Sequence, residues 1–297
     1  MRQRLLITGV SGFLGQHVAQ HLRDRHQVIG TYREHEVMLQ GCTLRPLDIT
    51  DQEGVRALCQ EFRPDGIVHL AVQGDIDRCQ RDPDEAYRVN VQGTVHVARA
   101  AAEVGARLIY ISTDQVYDGA QGLYDESDPP HPLMVYGHTK LEAEQQAATI
   151  CRDLVTLRLA LMYGWGNPSR PTFTDWMLAR LQAGQEVPLW VDQYRTPLYV
   201  VQAAEVIGQL VERPEVRGIF NLGGAERLDR LSFGRKFCDI FELPTQSLKP
   251  VDMASAAAST PRPRDCSMRS AKISTRLGIK LLTVEEGLRA MKRRRQG

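Results

Sequence analysis

The sequence predicts an α/β protein with a doubly wound parallel sheet and a smaller C-terminal α/β part. Three observations predict this fold. A glycine-rich turn, TGVSGFLG, closes the first apolar run at residues 8–15. Short apolar runs then alternate with stretches of helical periodicity, as in parallel sheets covered on both faces. Polar residues follow several of these runs, at the edge where open α/β sheets bind ligands.

The elements follow from these patterns in chain order. Strands are predicted at residues 4–8, 27–32, 44–49, 66–71, 107–112, 153–161 and 219–222. Helices are predicted from residue 13, at 51–62 and 84–104, through Lys140 to 150, and at 172–183, 202–212, 231–241 and 283–292. Closely spaced Gly and Pro predict loops at 163–171 and 184–197, and Ala, Ser and Pro predict a mobile loop at 253–263. We predict a dinucleotide-binding domain at 1–158, with return segments near 191–222, and a mainly substrate-binding part at 159–297.

The glycine turn predicts an anion site. Gly9, Gly12 and Gly15 lie between a strand and a helix that begins near Phe13 and Leu14. Backbone N–H groups point outward at such a helix start, and the helix dipole favours a phosphate. A side chain in the turn would hold a pyrophosphate away from the backbone, so the glycines indicate a dinucleotide.

The end of the second strand indicates which dinucleotide binds. An acidic residue there would bind a ribose 2′-hydroxyl and repel a 2′-phosphate. Thr31-Tyr32-Arg33 stands there instead, and a guanidinium pairs with phosphate, so we predict NADP(H). The neighbouring Glu34 opposes this preference. Asp48 is predicted to follow the third strand, at the adenine edge.

Tyr136 and Lys140 are four residues apart, one turn along a predicted helix. An ammonium near a phenol lowers the Tyr pKa from about 10 and suits it for proton transfer. The spacing alone is common on solvated helix faces. The glycine turn and Ser112-Thr113-Asp114, at the end of a strand, give it weight as a catalytic pair.

Composition excludes several other classes. A formal net charge of +1 with 42% hydrophobic and 25% charged residues indicates neither a nucleic-acid nor a membrane partner. Six scattered cysteines without C-x-x-C predict a reduced, cytoplasmic protein without disulfides or a metal site. His17 and His21 lack the Glu of H-E-x-x-H and are interpreted as solvent-facing. No apolar run is long enough to cross a membrane.

With these residues assembled, the chain resembles the extended short-chain dehydrogenase/reductases, and within them most closely the dTDP-4-dehydrorhamnose reductase family. The resemblance spans nearly the whole chain. It rests on TGVSGFLG, HLA at 69–71, Asn90-Val91, ISTDQVYDG at 111–119, VYGHTK at 135–140, DQYRTP at 192–197 and RPRDCSM at 262–268. It implies a Rossmann-type fold and NADPH-dependent reduction of a nucleotide-linked 4-keto-6-deoxy sugar.

The resemblance also implies roles for individual residues. Tyr136 would protonate the alkoxide, Lys140 would hold the nicotinamide ribose, and Thr113 would hydrogen-bond the substrate carbonyl. Asp114, Gln115 and Arg195 would contact the substrate. The cofactor groove would comprise Gly9, Ser11, Gly12, Phe13, Leu14, Gly15, Arg33, Asp48, Ile49, His69, Leu70, Ala71, Asn90, Ser112, Tyr136 and Lys140.

Two departures keep other functions open. Leu161 stands where related 4-ketoreductases carry a Trp beside the sugar. Arg195 resembles an arginine that contacts substrate phosphate in other extended members. A non-catalytic NADP-binding module like the regulatory subunit of methionine adenosyltransferase is one alternative. A nucleotide-sugar epimerase or dehydratase is another, although Gln115 cannot take the proton that dehydration requires. The sugar, the nucleotide base and the oligomeric state, a homodimer included, stay open.

Overall fold

The computed structural model describes residues 2–166, 171–255 and 260–296. Its helices are α1 (Phe13–Leu22), α2 (Gln52–Phe62), α3 (Ile76–Arg81), α4 (Pro83–Tyr87), α5 (Gly93–Val104), α6 (Val135–Ile150), α7 (Phe173–Gln182), α8 (Val200–Glu212), α9 (Arg230–Phe241), α10 (Ala271–Leu277) and α11 (Val284–Gln296). Its strands are β1 (Arg4–Thr8), β2 (Gln27–Tyr32), β3 (Cys42–Pro46), β4 (Gly66–His69), β5 (Arg107–Thr113), β6 (Leu154–Leu159), β7 (Met162–Tyr163), β8 (Val187–Trp190), β9 (Tyr194–Arg195), β10 (Leu198–Tyr199), β11 (Gly218–Leu222), β12 (Leu228–Asp229) and β13 (Leu248–Val251).

Seven parallel strands form the central sheet in the order β11-β6-β5-β4-β1-β2-β3. From β1 the chain builds outward to β3, and from β4 it builds outward in the other direction. The change of direction between β1 and β4 opens a crevice at the carboxyl ends of the strands. This confirms the predicted doubly wound, Rossmann-type fold.

Side chains that alternate along the inner strands pack on both faces of the sheet. In β1, Leu5 and Ile7 pack on the face covered by α1 and α8, whereas Leu6 packs on the face covered by α2, α5 and α6. The sequence of a strand that is buried on both faces is a continuous apolar run, so polar and apolar residues do not alternate along β1.

The C-terminal part adds three small strand pairs beside the sheet. β7 pairs with β10 and β8 with β13 in parallel, and β9 pairs with β12 antiparallel. The chain also returns to the central sheet, because α8 packs against α1 and β11 is the seventh strand, next to β6. Within the described stretches, no helix is long and apolar enough to cross a bilayer.

Several predicted elements were wrong in their extent, among them the third strand and the 84–104 helix. The third strand ends at Pro46, and Asp48 instead accepts hydrogen bonds from the Thr50 backbone N–H (2.9 Å) and hydroxyl (2.8 Å). This turn leads the chain toward α2. The helix predicted at 84–104 is divided into α4, a π-helical turn at Arg88–Gln92 and α5. At this turn the Thr94 hydroxyl donates to the backbone oxygen of Asn90 at 2.6 Å, and such turns often mark functional sites.

Other elements were missed. Helices α3 and α10 and the strands β8, β9 and β13 are short, and their sequences were interpreted as loops or left unassigned. Of the predicted loops, residues 167–170 and 256–259 lie outside the described residues.

Candidate active site

A cleft of about 800 Å³ opens at the carboxyl ends of β1, β2, β4, β5 and β6. It brings together most of the residues that the sequence predicts for cofactor, substrate and catalysis. These are Gly9, Ser11, Gly12, Phe13, Leu14, Gly15, Arg33, Asp48, Ile49, Leu70, Ala71, Ser112, Thr113, Asp114, Gln115, Tyr136 and Lys140. His69, Asn90 and Arg195 do not line it.

One end of the cleft is formed by the glycine turn. Gly9 has a φ of +70°, and a Cβ there would lie 2.8 Å from the backbone of Ala71. A Cβ on Gly15 would lie 2.4 Å from the Gly9 carbonyl oxygen, so α1 starts directly against the turn. Gly12 caps α1 without a side-chain hydrogen bond, which leaves the first N–H groups of the helix available to an anion.

Arg33 lies at the rim of this end of the cleft. Its side chain is 43% exposed and pairs with Glu34, with Nη2 2.6 Å from Oε1. A phosphate would therefore compete with the neighbouring carboxylate for the guanidinium.

Ser112 and Thr113 end β5 in the middle of the cleft. The Thr113 Oγ1 donates to Asp114 Oδ1 (3.2 Å) and accepts from the Gln115 N–H (3.2 Å), which caps the short turn that follows. The Ser112 Oγ is buried and has no hydrogen-bond partner in the described part of the chain. A buried hydroxyl that no protein group satisfies is able to hydrogen-bond a ligand in the cleft.

Tyr136 and Lys140 come from the first turns of α6. Tyr136 is partly exposed to the cleft, whereas Lys140 is 3% exposed. The Lys140 Nζ donates to the Ile111 carbonyl oxygen at 2.6 Å and lies 4.1 Å from the centre of the Tyr110 ring. The two predicted catalytic side chains thus face the same cleft as Thr113.

Burial controls the protonation of this pair. It raises the pKa of Tyr136, with the Thr113 hydroxyl acting in the opposite direction and the Asp114 charge adding to the rise. Burial also lowers the pKa of Lys140 to about 7, against the opposing effect of Glu144. The expectation that Lys140 would lower the Tyr136 pKa is therefore wrong for the protein without cofactor, because desolvation is the larger effect. Tyr136 remains a neutral phenol, the form that donates a proton.

His69 and Asn90 lie behind the cleft and support it. The His69 Nδ1 is 2.7 Å from the Thr8 hydroxyl, and Nε2 is 3.1 Å from that of Thr94. Burial lowers the pKa of His69 to about 3, so the ring is neutral. The Asn90 amide hydrogen-bonds the Gln73 N–H and carbonyl and donates to Thr139 on α6 (3.0 Å). Asn90 thus fixes a cleft-lining segment against the helix that carries Tyr136.

Asp114, which lines the cleft, forms a buried ion pair with Arg195 behind it. The Arg195 Nε lies 3.3 Å from Asp114 Oδ2, and the two side chains are 6% and 4% exposed. The Arg195 Nη groups donate to the backbone oxygens of Tyr194, Pro263 and Arg264. Burial raises the pKa of Asp114, and Arg195 limits the rise.

Several cleft residues were missed by the sequence interpretation. Gln73, Asp75 and Arg78 line the cleft at the start of α3. The only signal for them is their position directly after the fourth strand. Leu161 was noted as a departure, and it lines the cleft between Ala160 and Met162.

The sheet is doubly wound, a glycine turn follows β1, and a helix with Tyr-x-x-x-Lys faces the same cleft. These features together define a class, the extended short-chain dehydrogenase/reductases. Within that class, the chain belongs to the family described as the RmlD substrate binding domain, whose model matches residues 3–296.

Relatives and solved structures agree with this assignment. The chain is 31% identical to a probable low-salt glycan biosynthesis reductase of Haloferax volcanii, over 96% of both proteins. It is 31% identical to the methionine adenosyltransferase 2 subunit beta of Rattus norvegicus, over 93% of this chain and 83% of that protein. The dTDP-4-dehydrorhamnose reductase of Bacillus anthracis in complex with NADP superposes with a TM-score of 0.89 at 26% identity, over 99% of this chain and 100% of that one.

Proposed function

We propose that the protein reduces the 4-keto group of a nucleotide-linked 6-deoxy sugar with NADPH. The observation that carries this proposal is the convergence of Thr113, Tyr136 and Lys140 on one cleft that begins at the glycine turn. The relatives named as reductases support it. Residues 1–158, with return segments near 191–222, would hold the dinucleotide, and residues 159–297 would mainly hold the sugar nucleotide.

The cleft fits a dinucleotide phosphate. A Cβ at Gly9 or Gly15 would clash with backbone, the start of α1 offers free N–H groups, and the buried Ser112 hydroxyl has no partner among the described residues. Arg33 would bind the 2′-phosphate, Asp48 and Ile49 the adenosine, and Leu70 and Ala71 the middle of the cofactor. When bound, the reduced nicotinamide supplies the hydride.

The chain's own residues would manage the charge that forms on the substrate oxygen. Thr113 would donate a hydrogen bond to the carbonyl, and Tyr136, a neutral phenol, would donate the proton that completes the alcohol. Lys140 would hold the nicotinamide ribose and keep a positive charge beside the phenol as it loses its proton. Asp114 and Gln115 would contact the sugar, with Arg195 fixing Asp114.

The direct test is NADPH oxidation in the presence of dTDP-4-dehydrorhamnose and related nucleotide-linked 4-keto sugars. We expect NADPH consumption matched by formation of a product two hydrogen atoms heavier, followed by mass spectrometry. Absence of turnover across the panel, with NADPH shown to bind, would contradict the proposal.

A second candidate is a regulatory subunit that binds NADP without catalysis. It is favoured by the 31% identity to methionine adenosyltransferase 2 subunit beta and by Leu161 in the place of the sugar-contacting Trp. The same substrate panel separates the two candidates, because only the reductase consumes NADPH.

Arg33 is expected to select NADPH over NADH. Arg33→Ala should weaken NADPH binding about tenfold or more and leave NADH nearly unchanged, because a charge-assisted contact is worth about 1.5–3 kcal/mol. Glu34→Gln is the matched control, since it frees Arg33 from its partner at 2.6 Å and should tighten NADPH binding. Isothermal titration calorimetry measures both affinities. An equal loss of affinity for NADPH and NADH in Arg33→Ala would show that Arg33 does not bind the 2′-phosphate.

Lys140 predicts a pH dependence of NADPH binding. Its pKa is lowered to about 7 in the free protein by burial, and a hydrogen bond to a bound ribose would raise it. Between the free and bound pKa values binding takes up a proton, so affinity should fall above about pH 7 by up to about tenfold per pH unit. Calorimetry from about pH 7 to pH 9, in buffers of different ionisation enthalpy, measures the affinity and the proton uptake. Lys140→Met should bind more weakly but without this slope; the same slope in both proteins would place the titrating group elsewhere.

A further inference from the structure

Arg230, at the first position of α9, is a cation with few contacts. It is partly buried. Its Nε donates to the Gln193 side-chain oxygen at 3.0 Å, and its guanidinium lies 5.1 Å from the centre of the Phe173 ring. Its Nη1 and Nη2 groups make no hydrogen bond within residues 2–166, 171–255 and 260–296.

Arg230 also has no counter-ion there. No carboxylate of the described chain lies within 4.0 Å of it, and residues 1, 167–170, 256–259 and 297 include no Asp or Glu. Asp114, whose charge acts on Arg230, is paired with Arg195 (3.3 Å), and the adjacent Asp229 accepts from the Ser232 N–H (2.8 Å) and hydroxyl (2.6 Å). Burial, followed by repulsion from Arg195, lowers the pKa of Arg230 to about 9. Cations with reduced access to water are normally paired, and among the described residues Arg230 has no such counter-ion.

Arg195, the arginine that the sequence suggested for phosphate, is in the opposite situation. Its Nε faces Asp114, and its Nη groups donate to three backbone oxygens. It holds Asp114 in place and ties β9 to the 263–264 segment. It therefore has no free pair of donors for two phosphate oxygens.

The geometry points to Arg230, and not Arg195, as the residue that binds the diphosphate of the substrate nucleotide. A guanidinium with two free Nη groups matches two phosphate oxygens of such a group. Its position fits, because Gln193, which accepts from its Nε at 3.0 Å, is two residues from Arg195, and Arg195 pairs at 3.3 Å with Asp114, which lines the cleft. This inference rests on the proposed nucleotide-sugar substrate for the identity of the ligand, and on the unpaired guanidinium for the anion site.

The test is calorimetric binding of dTDP and UDP to the full chain saturated with NADP⁺. We expect the wild type to bind at least one of them and Arg230→Gln to bind it about tenfold or more weakly, with NADP⁺ affinity retained. Arg230→Lys should recover part of the loss. Arg235→Gln is the matched control, because Arg235 is exposed on the same helix and the variant makes the same change of charge; it should bind like the wild type.

A second readout separates ligand binding from a structural role. Because the unpaired cation is unfavourable in the free protein, Arg230→Gln should raise Tm without ligand and reduce the Tm increase caused by dTDP. A lower Tm without ligand would assign Arg230 to the structure.

Wild-type affinity for dTDP and UDP in Arg230→Gln, or no binding by the wild type, would overturn the inference. If dTDP binding depends on Arg230 but no 4-keto sugar is reduced, the proposed reaction fails and the anion site stands. If Arg230→Gln reduces the sugar with unchanged KM, the reaction stands and the site fails.

Discussion

Tyr136→Phe is expected to lower kcat at least about 10³-fold. General acid catalysis contributes about 10²–10⁴-fold, and the forming alkoxide also loses a stabilising donor. Burial raises the pKa of Tyr136, so at neutral pH the wild type carries the proton that the variant lacks. Steady-state NADPH oxidation with a reducible 4-keto sugar nucleotide measures the effect.

The ring is retained in Tyr136→Phe, so folding and NADPH affinity should stay within a few-fold of the wild type. Those two measurements are the control for the loss of turnover. A variant that reduces the substrate as fast as the wild type would remove Tyr136 from the mechanism. The alternative is that Tyr136 and Lys140 are only a surface pair, worth under about 1 kcal/mol, and the 3% exposure of Lys140 argues against it.

The sequence predicted the inner strands of the central sheet well, because strands that are buried on both faces consist of continuous apolar runs. It failed for β8, β9 and β13, which are only two to four residues long. Strands of that length show no period, and their partners lie far along the sequence. The break in the 84–104 helix was also not predicted; it lies where the Asn90 side chain contacts Gln73 and Thr139, which are distant in sequence.

The candidate site was likewise predicted in part. The residue types at Gly9, Thr113, Tyr136 and Lys140 indicate their chemistry, and the cleft contains all four. The protonation of Tyr136 and Lys140 was mispredicted. The sequence argument considered only the effect of one side chain on the other and omitted desolvation, which is the largest effect on both pKa values. The ion pair between Asp114 and Arg195 was also not predicted, because the two residues are distant in sequence and meet only in the folded chain.

One turn beyond Lys140, α6 is fixed to the sheet by a buried ion pair. Glu144 accepts from the Arg158 Nε (3.0 Å) and Nη2 (2.7 Å), and the side chains are 3% and 4% exposed. The Arg158 Nη1 also donates to the Tyr117 hydroxyl at 2.9 Å, which contacts Asn221 on β11. The helix that presents Tyr136 and Lys140 is thereby joined to β6 and β11 by a continuous polar network.

Glu144→Ala is therefore expected to lower the free energy of unfolding by about 3–5 kcal/mol, because it leaves the Arg158 guanidinium buried without its counter-ion. Urea unfolding measures this loss. Glu142→Ala makes the same chemical change on a more exposed side of α6, where Glu142 accepts from the Tyr87 hydroxyl and from no other side chain of the described residues, and should cost under about 1 kcal/mol. The double variant Glu144→Leu/Arg158→Met should recover most of the stability, since it removes both charges and leaves apolar groups in their place.

If Glu144→Ala unfolds at the same urea concentration as Glu142→Ala, the ion pair does not hold α6. If the double variant is as unstable as Glu144→Ala, the loss comes from packing around the site and not from an unpaired charge.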